Sequence, residues 1–192
     1  MSVSIRMPQP KLFTIGEYLT IERKAATKSE FHEGQILAMP GGTPEHSLIA
    51  SNIVVELGQQ IKGRNCRVYT SDLRQAVAGG ESAYYADVSV ICGETKLHGR
   101  HRDLVSNSAL VVEVLSQSTA RYDRLVKVPK YQRTPSIKDI LLVAQDRPRV
   151  EHFTRVKEDW TATEYVKLTD VIDLPHLRCT LALTDVYANI EF

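Results

Sequence analysis

Long apolar runs are missing from this chain, and so is an excess of charge of either sign. No uncharged apolar stretch reaches the roughly 18 residues that a membrane-crossing helix needs, and no charged-then-apolar leader opens the sequence. The expectation is a cytoplasmic protein that makes no use of a membrane. The 24 basic and 23 acidic residues leave a net charge of +1. Polyanion binding would therefore have to come from a local patch, because no overall field supplies it. Only three cysteines occur (Cys66, Cys92 and Cys179), far apart and without a CxxC or Cys–His spacing. That pattern excludes a sequence-evident zinc site and predicts three reduced core thiols. Repeats, low-complexity tracts and linkers are absent as well. What remains, 192 residues at 43% hydrophobic content, suffices for one domain with its own core over residues 1–192.

Local patterns divide that chain. Residues 1–13 carry two prolines and no periodicity, and read as a loose arm. Thr14 is placed to cap a helix in which Ile15, Tyr18, Leu19 and Glu22 share helical spacing. Glu30–Met39 reads as two short strands around Gly34. Thr43 and Pro44 start a helix that runs to about Ile61, striped by Leu48, Ile49, Ile53, Val54 and Leu57. Cys66–Val77 is β-rich and ends at Gly79–Gly80. Tyr84–Cys92 reads as one buried strand and Leu110–Leu115 as another. LLVAQDRPRVEHFTR reads as a hairpin turning at Asp146–Pro148. A polar connection near Lys157–Trp160, a strand over Thr163–Leu168 and a final helix at LTDVYANI complete the reading. The fold class is α/β (α+β).

The two central strands each hold one carboxylate among apolar neighbours, Asp87 and Glu113. A buried ionised carboxylate is destabilising by several kcal/mol unless it is paired or ligates a metal. Adjacent strands bring two such groups together when both face the same way. Oxygen-only ligation suits magnesium or manganese. The alternative stays open on this pattern: each acid could be a structural carboxylate bonded to backbone amides. Lys127 follows on a helix, and Asp123 four residues earlier offers it an ordinary surface ion pair. Arg121, Arg124, Lys127, Lys130 and Arg133 recur every third residue. That spacing drifts round a helix, as a solvated band or as a phosphate-contacting edge; Arg121, Arg124 and Lys130 are its candidate nucleic-acid contacts.

Five blocks taken together, KSEFHEGQILAMPGGTPEH, CRVYTSDLR, YYADVSVIC, LVVEVLSQSTARYDRLVK and LLVAQDRPRVEHF, resemble the bacterial Uma-type restriction endonuclease family. That family is a branch of the PD-(D/E)XK nuclease superfamily, and the likeness runs from about Thr14 to the C-terminus. It implies a mixed central β-sheet flanked by helices and a Mg2+- or Mn2+-dependent endonuclease acting on DNA, for which a homodimer would supply two cutting sites. The other reading is an inactive module on the same fold that binds nucleic acid or protein. Asp87 matches the first acid of the motif and Glu113 the second, and the two would hold the metal. The superfamily lysine usually lies two residues after the second acid, where this chain has Leu115; the matching residue is Lys127. Glu30 matches an upstream glutamate that can complete the metal site and is counted with the catalytic residues, and His46 falls where the family often has histidine. Ala86 replaces the proline before the first acid, and Pro129 predicts a kink just beyond Lys127.

Overall fold

Two helix starts follow directly from their caps. The computed structural model describes residues 11–192; most of the arm expected over residues 1–13 lies outside the described residues. The Thr14 hydroxyl accepts from the Glu17 amide while the Glu17 carboxylate accepts from the Thr14 amide, a reciprocal capping box that launches α1 (Ile15–Glu22). The Thr43 hydroxyl accepts from the His46 amide, and Pro44 occupies the first turn of α2 (Pro44–Ile61), where its missing N–H has no partner to lose. Between them β1 (Ser29–His32) and β2 (Gln35–Ala38) form a hairpin. Its two turn residues, Glu33 and Gly34, both have positive φ, as a tight hairpin of the right twist requires.

The remaining strands are β3 (Cys66–Thr70), β4 (Arg74–Val77), β5 (Ser82–Tyr84), β6 (Val88–Cys92), β7 (Leu104–Val105) and β8 (Leu110–Leu115), followed by β9 (Asp139–Ala144), β10 (Val150–Val156), β11 (Asp159–Tyr165), β12 (Val171–Leu174) and β13 (Cys179–Ala182). A mixed six-stranded sheet in the order β11-β10-β9-β8-β6-β3 forms the centre, with β8 and β9 parallel and every other neighbour antiparallel. A second sheet runs β2-β1-β5-β4-β7, and β12 and β13 form a hairpin of their own. Helices flank the central sheet, the mixed α/β architecture expected from the sequence.

Period-two alternation explains why all six residues of β8 are buried. Leu110, Val112 and Val114 face Ile49, Ile53 and Leu57 of α2, within the core that also takes the β12–β13 hairpin and the short α5 (Leu183–Val186). Val111 and Leu115 face the other way, into a core with Tyr84, Val128, Tyr131 and Leu142. Glu113 shares that second face by parity, and this decides what it meets. The helical segment covering the face is α3 (Ala120–Tyr122), a π turn (Asp123–Lys127) and α4 (Val128–Gln132). Pro129 cannot donate to the preceding turn, and the wider π turn lies just before it. Lys127 nevertheless reaches Glu113.

Four local expectations are corrected. Tyr84–Cys92 is not one strand: β5 ends at Tyr84 in one sheet and β6 begins at Val88 in the other. The Asp87 carboxylate at this crossing accepts from the Val114 amide, which the departing strand no longer serves. Cys66 and Cys92 are not thiols. They stand opposite each other in the β3–β6 register and are joined in a disulfide, which leaves the buried Cys179 as the free cysteine. Strand β11 runs from Asp159 to Tyr165, so the expected Lys157–Trp160 connection is only a tight turn. The expected C-terminal helix starts at Leu183 but stops at Val186, because the chain turns over residues 187–189 and Asn189 takes a positive φ. Among the described residues no helix is long and apolar enough to cross a membrane.

Asp139 ties this C-terminal hairpin to the central sheet. Fully buried at the start of β9, it sits 2.8 Å from His152 Nε2 and 3.1 Å from His176 Nδ1, and accepts from Thr154 Oγ1 at 2.6 Å. Burial opposes its ionisation, but the hydrogen bonds from His152 and Thr154 outweigh that and hold the carboxyl below its ordinary range. A depressed folded-state pKa stabilises above the unfolded value, about 3.9, and that contribution disappears as pH falls through the lower folded value. Asp139→Asn should therefore lower the melting temperature at neutral pH, with a loss of about 1–3 kcal/mol. The difference from wild type should shrink on acidification below about pH 4. Melting curves from pH 3 to 8 check this; a gap that widens toward acid would contradict it.

Candidate active site

Four elements deliver side chains to one cavity of about 450 Å3, lined among others by Glu30, His46, Asp87, Glu113, Tyr122, Asp123 and Lys127. Strand parity sends Glu113 off β8 toward the helical segment, and β1 brings Glu30 from the other sheet. The β5–β6 crossing supplies Asp87, and the π turn supplies Asp123 and Lys127. Glu113, Glu30 and Lys127 are only 3%, 5% and 6% exposed.

The ammonium of Lys127 is the hub. It lies 2.8 Å from Glu30 Oε1, 3.2 Å from Glu113 Oε1 and 3.5 Å from Asp123 Oδ1. The surface ion pair that spacing offers between Asp123 and Lys127 exists, but it is buried and shared with two other acids. Tyr131 Oη donates to Glu113 Oε1 at 2.5 Å, and the Tyr85 amide donates to Glu30 Oε1 at 3.1 Å. Asp87 Oδ2 accepts from the Val114 amide at 2.7 Å and faces His46 Nε2 at 3.2 Å. Each acid thus has one oxygen fixed. Glu30 Oε2, Asp87 Oδ1 and Glu113 Oε2 take no hydrogen bond from a described residue.

Burial and crowding shift these groups strongly. Burial pushes Glu113 well above the usual carboxylate range, against the Lys127 charge and with the added repulsion of Asp123, Asp87 and Glu30. Burial likewise raises Glu30 and Asp123. For Lys127 burial disfavours the charged form, yet Glu113, Glu30 and Asp123 outweigh it and lift the group well above the ordinary lysine range. Lys127 is therefore an ammonium at neutral pH. It can stabilise anionic charge or donate a proton, but it cannot serve as a resting general base. The hydrogen bond to Asp87 is the main reason that His46 is raised above its usual value.

Asp87, Glu113 and Glu30 were marked from the sequence, and the structure brings them together with Lys127. The basic band is dispersed instead. Arg124 is held by Glu151, with Nη2 2.7 Å from Oε1. Lys130 is buried between Glu33 and Glu81, and Arg133 also pairs with Glu81. The expected solvated band is thus largely consumed by internal ion pairs, and of the three marked contacts only Arg121 stands exposed. Sequence reasoning left His46, Asp123 and Tyr131 out of the site. The Gly41–Gly42–Thr43–Pro44 loop signals that α2 starts beside something, though not beside what.

Among the described residues no three His, Cys, Asp or Glu side chains stand together as a ready metal cage, and Lys127 separates Glu30 from Glu113. Magnesium, however, commonly takes one or two carboxylates and keeps several waters. Asp87 Oδ1 and Glu113 Oε2 are uncommitted, all-oxygen and on residues that line the same cavity, beside three carboxyls gathered on one ammonium. The donor chemistry fits a magnesium- or manganese-like ion.

Comparison with known proteins gives a consistent picture. The profile of the Uma2 family, described as "Putative restriction endonuclease", matches residues 15–184. One uncharacterized protein of Synechocystis is 36% identical over 155 residues, which span 80% of this chain and 88% of the relative. A second from the same organism is 31% identical over 186 residues, 96% of each chain. A crystal structure from Anabaena variabilis, described as a "putative nuclease", superposes with a TM-score of 0.71 at 19% identity. The superposition covers 92% of this chain and 98% of the other; at that identity it speaks to the fold.

Proposed function

The chain belongs to the Uma2 family, and from that premise we propose that it is a divalent-metal-dependent endonuclease that hydrolyses phosphodiester bonds in DNA. The observation that carries the reading is the cluster itself: Glu30, Glu113 and Asp123 around the Lys127 ammonium, with Asp87 lining the same cavity. An internal salt bridge needs two groups; four buried ionisable groups beside a half-buried fifth in one cleft are better explained by chemistry done there.

Asp87 and Glu113 would hold Mg2+ or Mn2+, with the main-chain carbonyl of Val114 nearby in sequence. Such an ion, when bound, supplies Lewis-acid charge at the phosphoryl group and makes a nearby water more acidic. The protein's own groups do the positioning. Tyr131 fixes Glu113 and the Val114 amide fixes Asp87, so neither carboxylate has to reorganise. Glu30 and Asp123 hold the Lys127 ammonium where it can balance negative charge that grows on the phosphoryl oxygens. Cutting both strands of a duplex calls for two such sites, so a duplex cutter of this kind would act as a homodimer.

The second reading, a binding module without catalysis, draws on the neutralisation of the basic band, which leaves few free cations for DNA phosphates. A substrate panel decides between them. Supercoiled plasmid, single-stranded DNA and RNA are incubated at fixed salt with Mg2+, Mn2+ or EDTA. Metal-dependent nicking of DNA, abolished by EDTA, is the expected result. Cleavage of RNA alone would move the substrate, and no cleavage anywhere would leave the binding module.

A further inference from the structure

His46 is the group in this cleft that the scheme above leaves without a task. Its backbone is pinned at the start of α2, since its amide donates to the Thr43 hydroxyl at 3.2 Å. Its ring turns away from the helix, lines the catalytic cavity, and meets Asp87 Oδ2 at 3.2 Å through Nε2. The same oxygen accepts from the Val114 amide at 2.7 Å. The Val114 amide and the His46 imidazole both converge on Oδ2, and Oδ1 takes no hydrogen bond from a described residue. The far side of the ring lies against Gly42, where a Cβ would stand 3.0 Å from His46 Nδ1. A methyl on residue 42 would crowd the imidazole, which would have to give by a few tenths of an ångström. A second cavity, of about 780 Å3, also borders His46 and Asp87.

We propose that His46 is a positioning residue for the metal site: its imidazole holds Asp87 through Oδ2 and thereby presents Oδ1 to the divalent cation. This rests on the reading of Asp87 and Glu113 as the metal-holding acids. A histidine bonded to a ligating carboxylate changes metal affinity by about 10–100-fold when removed. His46→Ala should weaken the site by that factor. Gly42→Ala should weaken it in the same direction but by less, with the imidazole intact, because the new methyl crowds the ring. His46→Gln keeps an N–H donor of similar reach and should recover most of the affinity.

The test needs no turnover. Free Mn2+ is titrated by its electron paramagnetic resonance signal against wild type, His46→Ala, His46→Gln and Gly42→Ala, with melting curves as a control for folding. Pulsed measurements on the bound Mn2+ look for coupling to 14N. Expected are a 10–100-fold weaker Kd for His46→Ala, a smaller loss for Gly42→Ala, recovery in His46→Gln, and no imidazole nitrogen coupling in wild type. Equal affinity in wild type and His46→Ala would reduce His46 to a packing residue of α2 and overturn the proposal. Nitrogen coupling in wild type that His46→Gln loses would also overturn it, since His46 would then be a ligand itself. No Mn2+ binding by wild type would overturn the metal reading of Asp87 and Glu113 together with it.

Discussion

Lys127→Met should unfold at a temperature roughly 10 °C lower than wild type and lose phosphodiester cleavage. The expected loss is about 3–5 kcal/mol, typical when one partner of a buried ion pair is removed; for a chain of this size each kcal/mol shifts melting by about 2–4 °C. The reason is visible in the cluster: Glu30 and Glu113 would keep their burial and lose the charge 2.8 and 3.2 Å away. Because burial already raises both carboxyls, the variant relieves part of the strain by taking up protons, so its deficit should shrink toward acid pH. Millimolar Mn2+ should raise the melting temperature of the variant more than that of wild type, since the cation replaces missing positive charge. Thermal melts with and without Mn2+ measure both effects. A variant that melts like wild type would show that the ammonium does not hold the cluster together.

Glu113→Gln should behave in the opposite way. The amide has nearly the same shape, its oxygen can still accept from Tyr131 and Lys127, and the burial penalty of a charged group is gone. Stability should hold or rise slightly. Activity should fall by about a thousandfold or more, equivalent to about 4 kcal/mol of transition-state stabilisation, because a neutral amide is a poor partner for a divalent ion. Single-turnover nicking rates on supercoiled plasmid, alongside a melting curve, separate the two effects. Cleavage within tenfold of wild type would remove Glu113 from the chemistry. If both results hold, Lys127 serves structure and chemistry, whereas Glu113 serves chemistry at the expense of stability.

Much of this arrangement is legible in the sequence, for local reasons. Thr14 with Glu17 and Thr43 with Pro44 announce their helices within four residues, because capping is a short-range hydrogen-bond pattern. Glu113 stands out because strand β8 is apolar on both sides of it. The Lys127 position emerges from the family's block pattern despite Pro129, and the π turn accounts for the accommodation. What stays hidden depends on distant partners. The apolar run Tyr84–Cys92 gives no sign that the chain changes sheets at Asp87, since both halves are buried in different cores. The pairing of Cys66 with Cys92 follows from the β3–β6 register, which no CxxC spacing advertises. Arg124, Lys130 and Arg133 look like a free basic band until Glu33 and Glu81 from two turns and Glu151 from β10 arrive to neutralise it. His46 is hidden for the same reason, because its target lies 41 residues away on another element.

The most direct test of the central claim, that this acid cluster hydrolyses DNA with a bound divalent ion, is a matched plasmid assay on wild type and Asp87→Asn. Both are prepared identically and incubated with Mg2+ or Mn2+. The account predicts nicked plasmid from wild type and intact supercoiled plasmid from Asp87→Asn, with both proteins folded by melting curve. Equal nicking by the two would place the activity elsewhere or in a contaminant, and would contradict the account.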